Sequence, residues 1–221
     1  MEAMRTVIAG GHGKVGLRLG AALAARGDQP VGLVRSPEQV ADLEAAGVEP
    51  LVLDLVAATP EQLAQALRGA DAVVFSAGAG GRGGPEATNA VDGTAARALV
   101  DAAVAAGVRR FVLVSVFMDA GRSREVSDTF ENYMRVKRDS DVHLAASGLD
   151  WTILRPGTLT DDAGVGRVRL GAAIPQGAVR RDDVAAVLAA LLHAPGTVHQ
   201  VLELTEGDVP VADAVSAVAR D

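Results

Sequence analysis

Thr6-Val7-Ile8-Ala9-Gly10-Gly11-His12-Gly13-Lys14-Val15-Gly16 is the stretch whose reading decides the fold. Val7 to Ala9 read as a short buried strand, the glycines as a turn, and Val15, Leu19 and Leu23 as the apolar stripe of a helix. A strand, a glycine turn and a helix in that order suit a pyrophosphate. The first helical turn offers unpaired N–H groups and the positive end of a dipole to the anion. Two frames fit the glycines, G-x-G-x-x-G from Gly11 and G-x-x-G-x-x-G from Gly10. Gly11 is expected to take positive φ in the tight turn. Gly13 leaves room for the backbone to approach an anion, and Gly16 lets the helix pack closely on the strand. Glycine-rich turns also occur for structural reasons alone, but this one directly follows the first strand, which is the context the motif requires.

Working outward, Pro30 to Arg35 reads as a second strand, and Ser36-Pro37-Glu38 as the start of a helix running to Gly47. Val48 to Leu55 is a third strand, followed by a helix from Pro60 to Leu67 and a fourth strand from Asp71 to Phe75. The loop Ser76 to Pro85 leads into one long helix, Glu86 to Ala106. Arg109 to Ser115 is a fifth strand, Asp128 to Ser147 a helix, and Asp150 to Leu154 a sixth strand closed by Arg155-Pro156-Gly157. The strands are continuous apolar runs, so helices should cover both faces, as in a parallel sheet. The expected fold is α/β, a doubly wound parallel sheet of about six or seven strands. After Pro156 the texture changes. Val168 to Leu170 reads as a short strand, Asp182 or Asp183 as the cap of a helix, Val201 to Leu204 as a last strand, and a final helix starts near Val209. Residues 1–221 are expected to form one domain, with the tail 157–221 a small substrate-side portion folded over the cofactor end.

The 221 residues are 49% hydrophobic but only 3% aromatic, so the core must be built from Ala, Val and Leu. Without cysteine the chain has no disulfides, no thiolate catalysis and none of the usual structural zinc ligands. A net charge of −7 argues against general nucleic-acid binding, which needs a basic face. There is no uncharged apolar run of about eighteen residues, so no membrane span is expected. The run at Val7 to Ala9 is too short for a signal-peptide core. The expectation is a soluble cytoplasmic protein.

In a doubly wound sheet, ligands lie beyond the carboxyl ends of the strands. After the second strand comes Arg35, where an NAD-selective enzyme usually carries an acid. A guanidinium there suits a 2′-phosphate, so NADP(H) is preferred over NAD(H), unless Arg35 is a solvated surface arginine. After the third strand, Asp54 either accepts a bond from an adenine amino group, with Leu55 against the ring, or serves a turn. Ser76-Ala77-Gly78 is small enough to let a cofactor pass. His12 either donates to a phosphate or is a solvated loop imidazole. Ser115 ends the fifth strand, and downstream Tyr133 and Lys137 stand four apart on one helix face. An ammonium so placed would stabilise phenolate and lower a pKa that starts near 10. Such a tyrosine can exchange a proton with a carbonyl or alcohol while hydride moves at a nicotinamide, with Ser115 holding the same oxygen. Y-x-x-x-K also arises by chance as a surface pair; the glycine loop and the preceding serine give it weight. His143, His193 and His199 show no metal spacing and read as surface or packing residues, and the pairs Asp161-Asp162 and Asp182-Asp183 as loop and cap residues. No metal site is expected. Phe117, Met118 and Leu159 have equal claims to a substrate wall and to the core.

These residues resemble the short-chain dehydrogenase/reductase superfamily, in its atypical and extended branch of small NAD(P)-binding Rossmann proteins with NmrA-like and epimerase-like members. The resemblance rests on Gly10-Gly11-His12-Gly13-Lys14-Val15-Gly16, Leu33-Val34-Arg35, Asp54-Leu55, Asn89-Ala90-Val91-Asp92-Gly93-Thr94, Ser115, Tyr133 with Lys137, and Leu154-Arg155-Pro156-Gly157. It implies that Tyr133 is the acid/base, that Lys137 also binds the nicotinamide ribose, and that Ser115 orients substrate. The turn holding Pro156 would lie against the carboxamide. Val116-Phe117 departs from relatives that carry a second small or polar residue after the serine, and the branch includes members with an idle tyrosine that act as redox sensors. Three functions follow as expectations. The first is an NADPH-dependent oxidoreductase acting on a small carbonyl, quinone or flavin-like acceptor. The second is a non-catalytic NADP sensor. The third is a nucleotide-sugar epimerase or dehydratase, which sits poorly with Arg35 and calls for a larger carboxy-terminal region. The expected partner is a small-molecule substrate, with no nucleic acid and no membrane, and the chain a monomer or homodimer.

Overall fold

The computed structural model describes residues 3–120 and 125–220. The first half alternates strand and helix: β1 (Arg5–Ala9), α1 (Lys14–Ala25), β2 (Gln29–Val34), α2 (Val40–Ala45), β3 (Glu49–Val52), α3 (Pro60–Ala66) and β4 (Ala72–Phe75). Then come α4 (Gly84–Thr88), a π-helical turn at Asn89–Ala95, α5 (Ala96–Ala106), β5 (Arg110–Val114), α6 (Asp128–Ala145) and β6 (Asp150–Pro156). The tail holds β7 (Thr158–Thr160), β8 (Arg167–Gly171), β9 (Ala178–Arg180), α7 (Arg181–Leu192), β10 (Gln200–Glu206), β11 (Val209–Pro210) and α8 (Val211–Val218).

Nine strands form one sheet in the order β11-β8-β10-β6-β5-β4-β1-β2-β3. From β3 through β10 every neighbouring pair is parallel; β8 and β11 close the far edge antiparallel. The winding reverses between β1 and β4, which makes the crevice between them the switch point of the sheet. Alternate residues of a strand point to opposite faces. Ile8, Val74, Val112 and Leu154 accordingly join Leu19 and Leu23 of α1 and Val184 and Leu188 of α7 in one core cluster. Val7, Ala9, Phe75 and Phe111 join Leu63 of α3, Leu99 of α5 and Leu144 of α6 in another. With both faces covered, the strands carry apolar residues at every position, which is why they read as continuous runs.

The structure departs from the sequence reading in four places. The long helix is broken: the π-helical turn inserts at Asn89–Ala95, where a Cβ on Gly93 would stand 3.0 Å from Val136 Cγ1 of α6. The third strand stops at Val52, because the chain turns at Asp54, whose carboxylate accepts from Val56 N–H at 2.9 Å. The tail does more than fold over one end, since β10 continues the parallel sheet beside β6 and α7 packs with α1. Finally, α7 is preceded by Arg180; Asp182 and Asp183 lie in its first turn and accept backbone N–H groups of Gly164, Val165 and Gly166. No helix among the described residues is long and apolar enough to cross a membrane.

Candidate active site

Positive φ falls on Gly10 (+82°), not on Gly11. Gly11 is tied to β2 through its N–H to Leu33 O at 3.0 Å, and a Cβ on it would stand 2.6 Å from Gly32 Cα. A Cβ on Gly10 would meet Ala77 N and Cα at 2.7 Å, and one on Gly16 would land on the Gly10 carbonyl oxygen. The working frame is therefore Gly10, Gly13 and Gly16. Gly13 is the residue before α1, with its N–H on Gly10 O at 2.9 Å. The helix start has no side-chain cap and no acid in its first turn. The N–H groups of Lys14, Val15 and Gly16 have no intrahelical acceptor and remain for an anion, so the turn fits the diphosphate of a dinucleotide.

Two side chains of the turn face elsewhere. His12 Nε2 is 2.7 Å from Asp42 Oδ2, and Gln39 Nε2 is 3.1 Å from His12 Nδ1, which joins the turn to the segment after β2. Lys14 Nζ pairs with Asp161 at 2.5 Å, and Asp161 also takes Arg181 at 2.8 Å. Arg18 pairs with Asp182 at 2.6 Å, so the tail reaches back to the first turns of α1.

At the other strand ends, Arg35 is exposed, and its guanidinium has no hydrogen bond or ion pair among the described residues. Asp54 serves its turn, leaving Oδ2 uncommitted, and Leu55 packs on the α3–α5 side of the core. Ser76 donates from both N and Oγ to Ala9 O, at 3.0 and 3.2 Å, which seats Ser76-Ala77 against the glycine turn. A Cβ on Gly78 would be 3.0 Å from Asp92 Oδ1. Pro156 is buried at the end of β6.

The face of α6 carries a cluster of charges. Lys137 is 3% exposed; its Nζ donates to Val114 O, at the end of β5, at 2.8 Å and stands 3.7 Å from Asp92 Oδ1. Asp92, presented by the π-helical turn, accepts from Ala79 N–H at 2.9 Å, while its own carbonyl takes the Ser140 hydroxyl at 2.8 Å. One turn beyond Lys137, Asp141 Oδ2 holds Arg155 Nη2 at 2.8 Å and Nε at 3.2 Å. Burial pushes the Lys137 pKa down against the pull of Asp92 and Asp141. Burial pushes the Asp141 pKa up, against Ser115, Arg155 and Lys137.

Tyr133 lies on this face, with its ring centroid 6.3 Å from that of Phe130. Its hydroxyl makes no hydrogen bond among the described residues. The expected lowering of its pKa is reversed: burial first, then Asp92 and Asp141, push it from 10.0 up to about 12. Lys137 has spent its charge on Val114 O and Asp92, and the two carboxylates outweigh it. Ser115 is 5% exposed, and its Oγ makes no well-formed hydrogen bond among the described residues. The glycine turn, Ser115 after β5, and Tyr133 with Lys137 on α6 thus come from three separate segments to the carboxyl ends of the central strands.

Asp92 and Asp141 escaped the sequence reading as site residues. Asp141 left a signal in the i, i+4, i+8 spacing of Tyr133, Lys137 and Asp141 on α6. Of the remaining histidines, His143 pairs with Asp101, His193 with Asp28, and His199 packs on Trp151. Phe117 is buried in the protein and Leu159 packs on the α1–α7 side of the core. The loop from Val116 to Ser127 reads from the sequence as one side of a substrate lip, and its residues 121–124 lie outside the described residues. Among the described residues no group of three or more potential metal ligands gathers.

Sheet order, switch point and glycine turn together define a Rossmann-fold nucleotide-binding protein. The family model described as NAD(P)H-binding matches residues 10–195, and the chain belongs to that family. It is 37% identical over 213 residues to a Bacillus subtilis protein described as the uncharacterized sugar epimerase YhfK, covering 96% of this chain and 99% of that one. The solved structure of a putative NAD-dependent epimerase/dehydratase from Bacillus halodurans superposes with a TM-score of 0.90 at 31% identity, over 97% of this chain and 100% of that one. ChuY, an anaerobillin reductase from Escherichia coli O157:H7, superposes with a TM-score of 0.75 at 28% identity, over 93% of this chain and 98% of that one. The family is thus one of NAD(P)-binding, oxidoreductase-like and epimerase-like proteins, and its cofactor is a nicotinamide dinucleotide.

Proposed function

We propose that the protein is an NADPH-dependent reductase of a small carbonyl, quinone or flavin-like acceptor, with Tyr133 as its proton donor. The observation that carries this reading is the state of Tyr133: a phenol with no hydrogen bond among the described residues, on one helix face with Lys137, held protonated by burial and two carboxylates. A reduced nicotinamide bound along the glycine turn supplies hydride. The chain's own part is then the proton. As an acceptor carbon takes hydride, its oxygen gains a lone pair and charge, and the Tyr133 O–H gives that oxygen its proton. Lys137, at i+4 on the same helix face, is the cation this reading assigns to the phenolate left behind. Ser115 borders the same space with a buried hydroxyl. At neutral pH the phenol is in its acid form, which is the form that reduction uses. The guanidinium of Arg35, exposed and unpaired among the described residues, supports NADPH over NADH.

The test is consumption of NADPH by the purified protein with a panel of quinones, aldehydes and flavins. Wild type should oxidise NADPH with at least one acceptor class, and Tyr133→Phe should lose roughly 100-fold or more of that rate. If cofactor binds and both proteins are equally inert across the panel, the reductase reading is overturned and a nucleotide sensor takes its place.

A further inference from the structure

Behind the Tyr133–Lys137 pair two buried polar atoms lack a good hydrogen bond, Ser115 Oγ and Asp141 Oδ1. Ser115 is 5% exposed and Asp141 4%. They are of complementary kind, a hydroxyl and a carboxylate oxygen, and close enough for the hydroxyl to help hold the carboxylate ionised. Leaving a buried carboxylate oxygen unpaired costs on the order of 1–3 kcal/mol, more than a small hydroxyl rotation. Arg155 cannot supply the missing bond, because both its donors go to Oδ2.

We propose that Asp141 is a positioning residue of this site: its Oδ1 takes the hydroxyl hydrogen of Ser115 while Arg155 holds Oδ2, which fixes the Ser115 hydroxyl and sets one negative charge behind Tyr133 and Lys137. The inference rests on the reductive reading of the site. The charged groups around the phenol are then Asp92 from the π-helical turn, Lys137 and Asp141 from α6, and Arg155 from β6. Asp141 and Arg155 neutralise each other, as do Asp92 and Lys137, so the cluster can be buried without net charge.

Tyr133 is the only tyrosine of the chain, so phenolate absorbance titrates this residue alone. Tyr133→Phe gives the blank. In Asp141→Asn the phenol midpoint should fall by roughly one pH unit, because a carboxylate that holds it up is gone. Asp139→Asn, on the exposed side of the same helix, should leave it in place. Asp141→Asn bares Arg155 and can fail to fold. The double variant Asp141→Asn/Arg155→Gln removes the pair as a unit and should show a smaller shift in the same downward direction, since the cation that opposed the carboxylate goes with it. Folded variants, checked by circular dichroism, with an unmoved midpoint overturn the proposal, whatever their melting temperature. The titration needs no acceptor, so an inert panel sinks the reductase reading without touching it. Where an acceptor is found, Ser115→Ala and Asp141→Asn should be non-additive in kcat/KM, the double losing about as much as the worse single; full additivity overturns the Ser115 contact.

Discussion

The two ends of this sheet bury polar groups in opposite ways. At the amino ends of β5 and β6, Arg110 donates to Asp150 O, Thr152 Oγ1, Leu191 O and Thr197 Oγ1 at 2.8–3.3 Å, and Thr152 in turn donates to Thr197 O. That knot closes on itself and ties the end of α7 to the sheet; only Arg110 Nε is left over. At the carboxyl ends the charges are balanced, but the Tyr133 hydroxyl makes no hydrogen bond among the described residues. A network built for stability satisfies its members from within, whereas one built to meet a ligand leaves donors and acceptors for it. Editing the first should unfold the protein and spare binding. Editing the second should do the reverse.

The sharpest way to break that contrast is Arg110→Leu. It strips two backbone carbonyls and two threonine hydroxyls of their donor and should cost about 3 kcal/mol, read by urea unfolding. NADPH affinity measured below the transition should stay within about twofold; a large loss of affinity would dissolve the distinction between the two ends. Arg35→Ala at the carboxyl side should show the mirror image. It should raise the Kd for NADPH roughly 10- to 100-fold, leave NADH nearly unchanged, and leave the urea midpoint where it was. Equal losses for both cofactors would reject the 2′-phosphate role.

Tyr133 is the exception that sharpens the comparison, because a site residue there also affects stability. Its folded pKa lies above the ordinary 10.0, near 12. The unfolded chain therefore gives up its proton first, and this contribution to stability is complete below pH 10 and lost as pH rises toward 12. Wild type should lose melting temperature more steeply than Tyr133→Phe across that window. Parallel curves would mean the phenol is not held up.

What was legible in the sequence follows the same division. The glycine turn could be read because residue type and spacing suffice for it. The residue with positive φ could not, since two frames fit and only the packing of Gly11 on Gly32 and of Gly10 on Ala77 chooses between them. The long helix looked unbroken because the π-helical turn answers to α6, through Gly93 against Val136, and propensity is blind to a neighbour. The sign of the Tyr133 shift was missed for a related reason. Lys137 sits next to it in the pattern, but Asp92 arrives from another helix and Lys137 spends its charge there. Asp141 drew no reading from the sequence, because its partner Arg155 lies in a strand that only the fold places beside it. The tail strands were short enough that neither their pairing nor the place of β10 inside the sheet could be read.

The smallest expected effect belongs to a second tie at the amino ends, where Asp28 joins two segments far apart in sequence. Asp28 Oδ1 accepts the Met4 N–H at 3.0 Å, and Oδ2 lies 2.8 Å from His193 Nε2, just past α7. Burial works to raise this carboxyl's pKa, but the Met4 N–H, His193 and Arg26 together hold it below its ordinary value. A depressed carboxylate contributes stability that is present above its unfolded pKa and lost as pH falls through the folded one. Asp28→Asn should therefore melt lower than wild type at neutral pH, by about 1 kcal/mol, and the gap should close as acid protonates the wild-type residue. NADPH binding should not notice the change, because the tie stands at the far end of α1 from the glycine turn. A gap that persists unchanged below the carboxylate range would mean that the carboxylate's charge contributes nothing and only its shape matters.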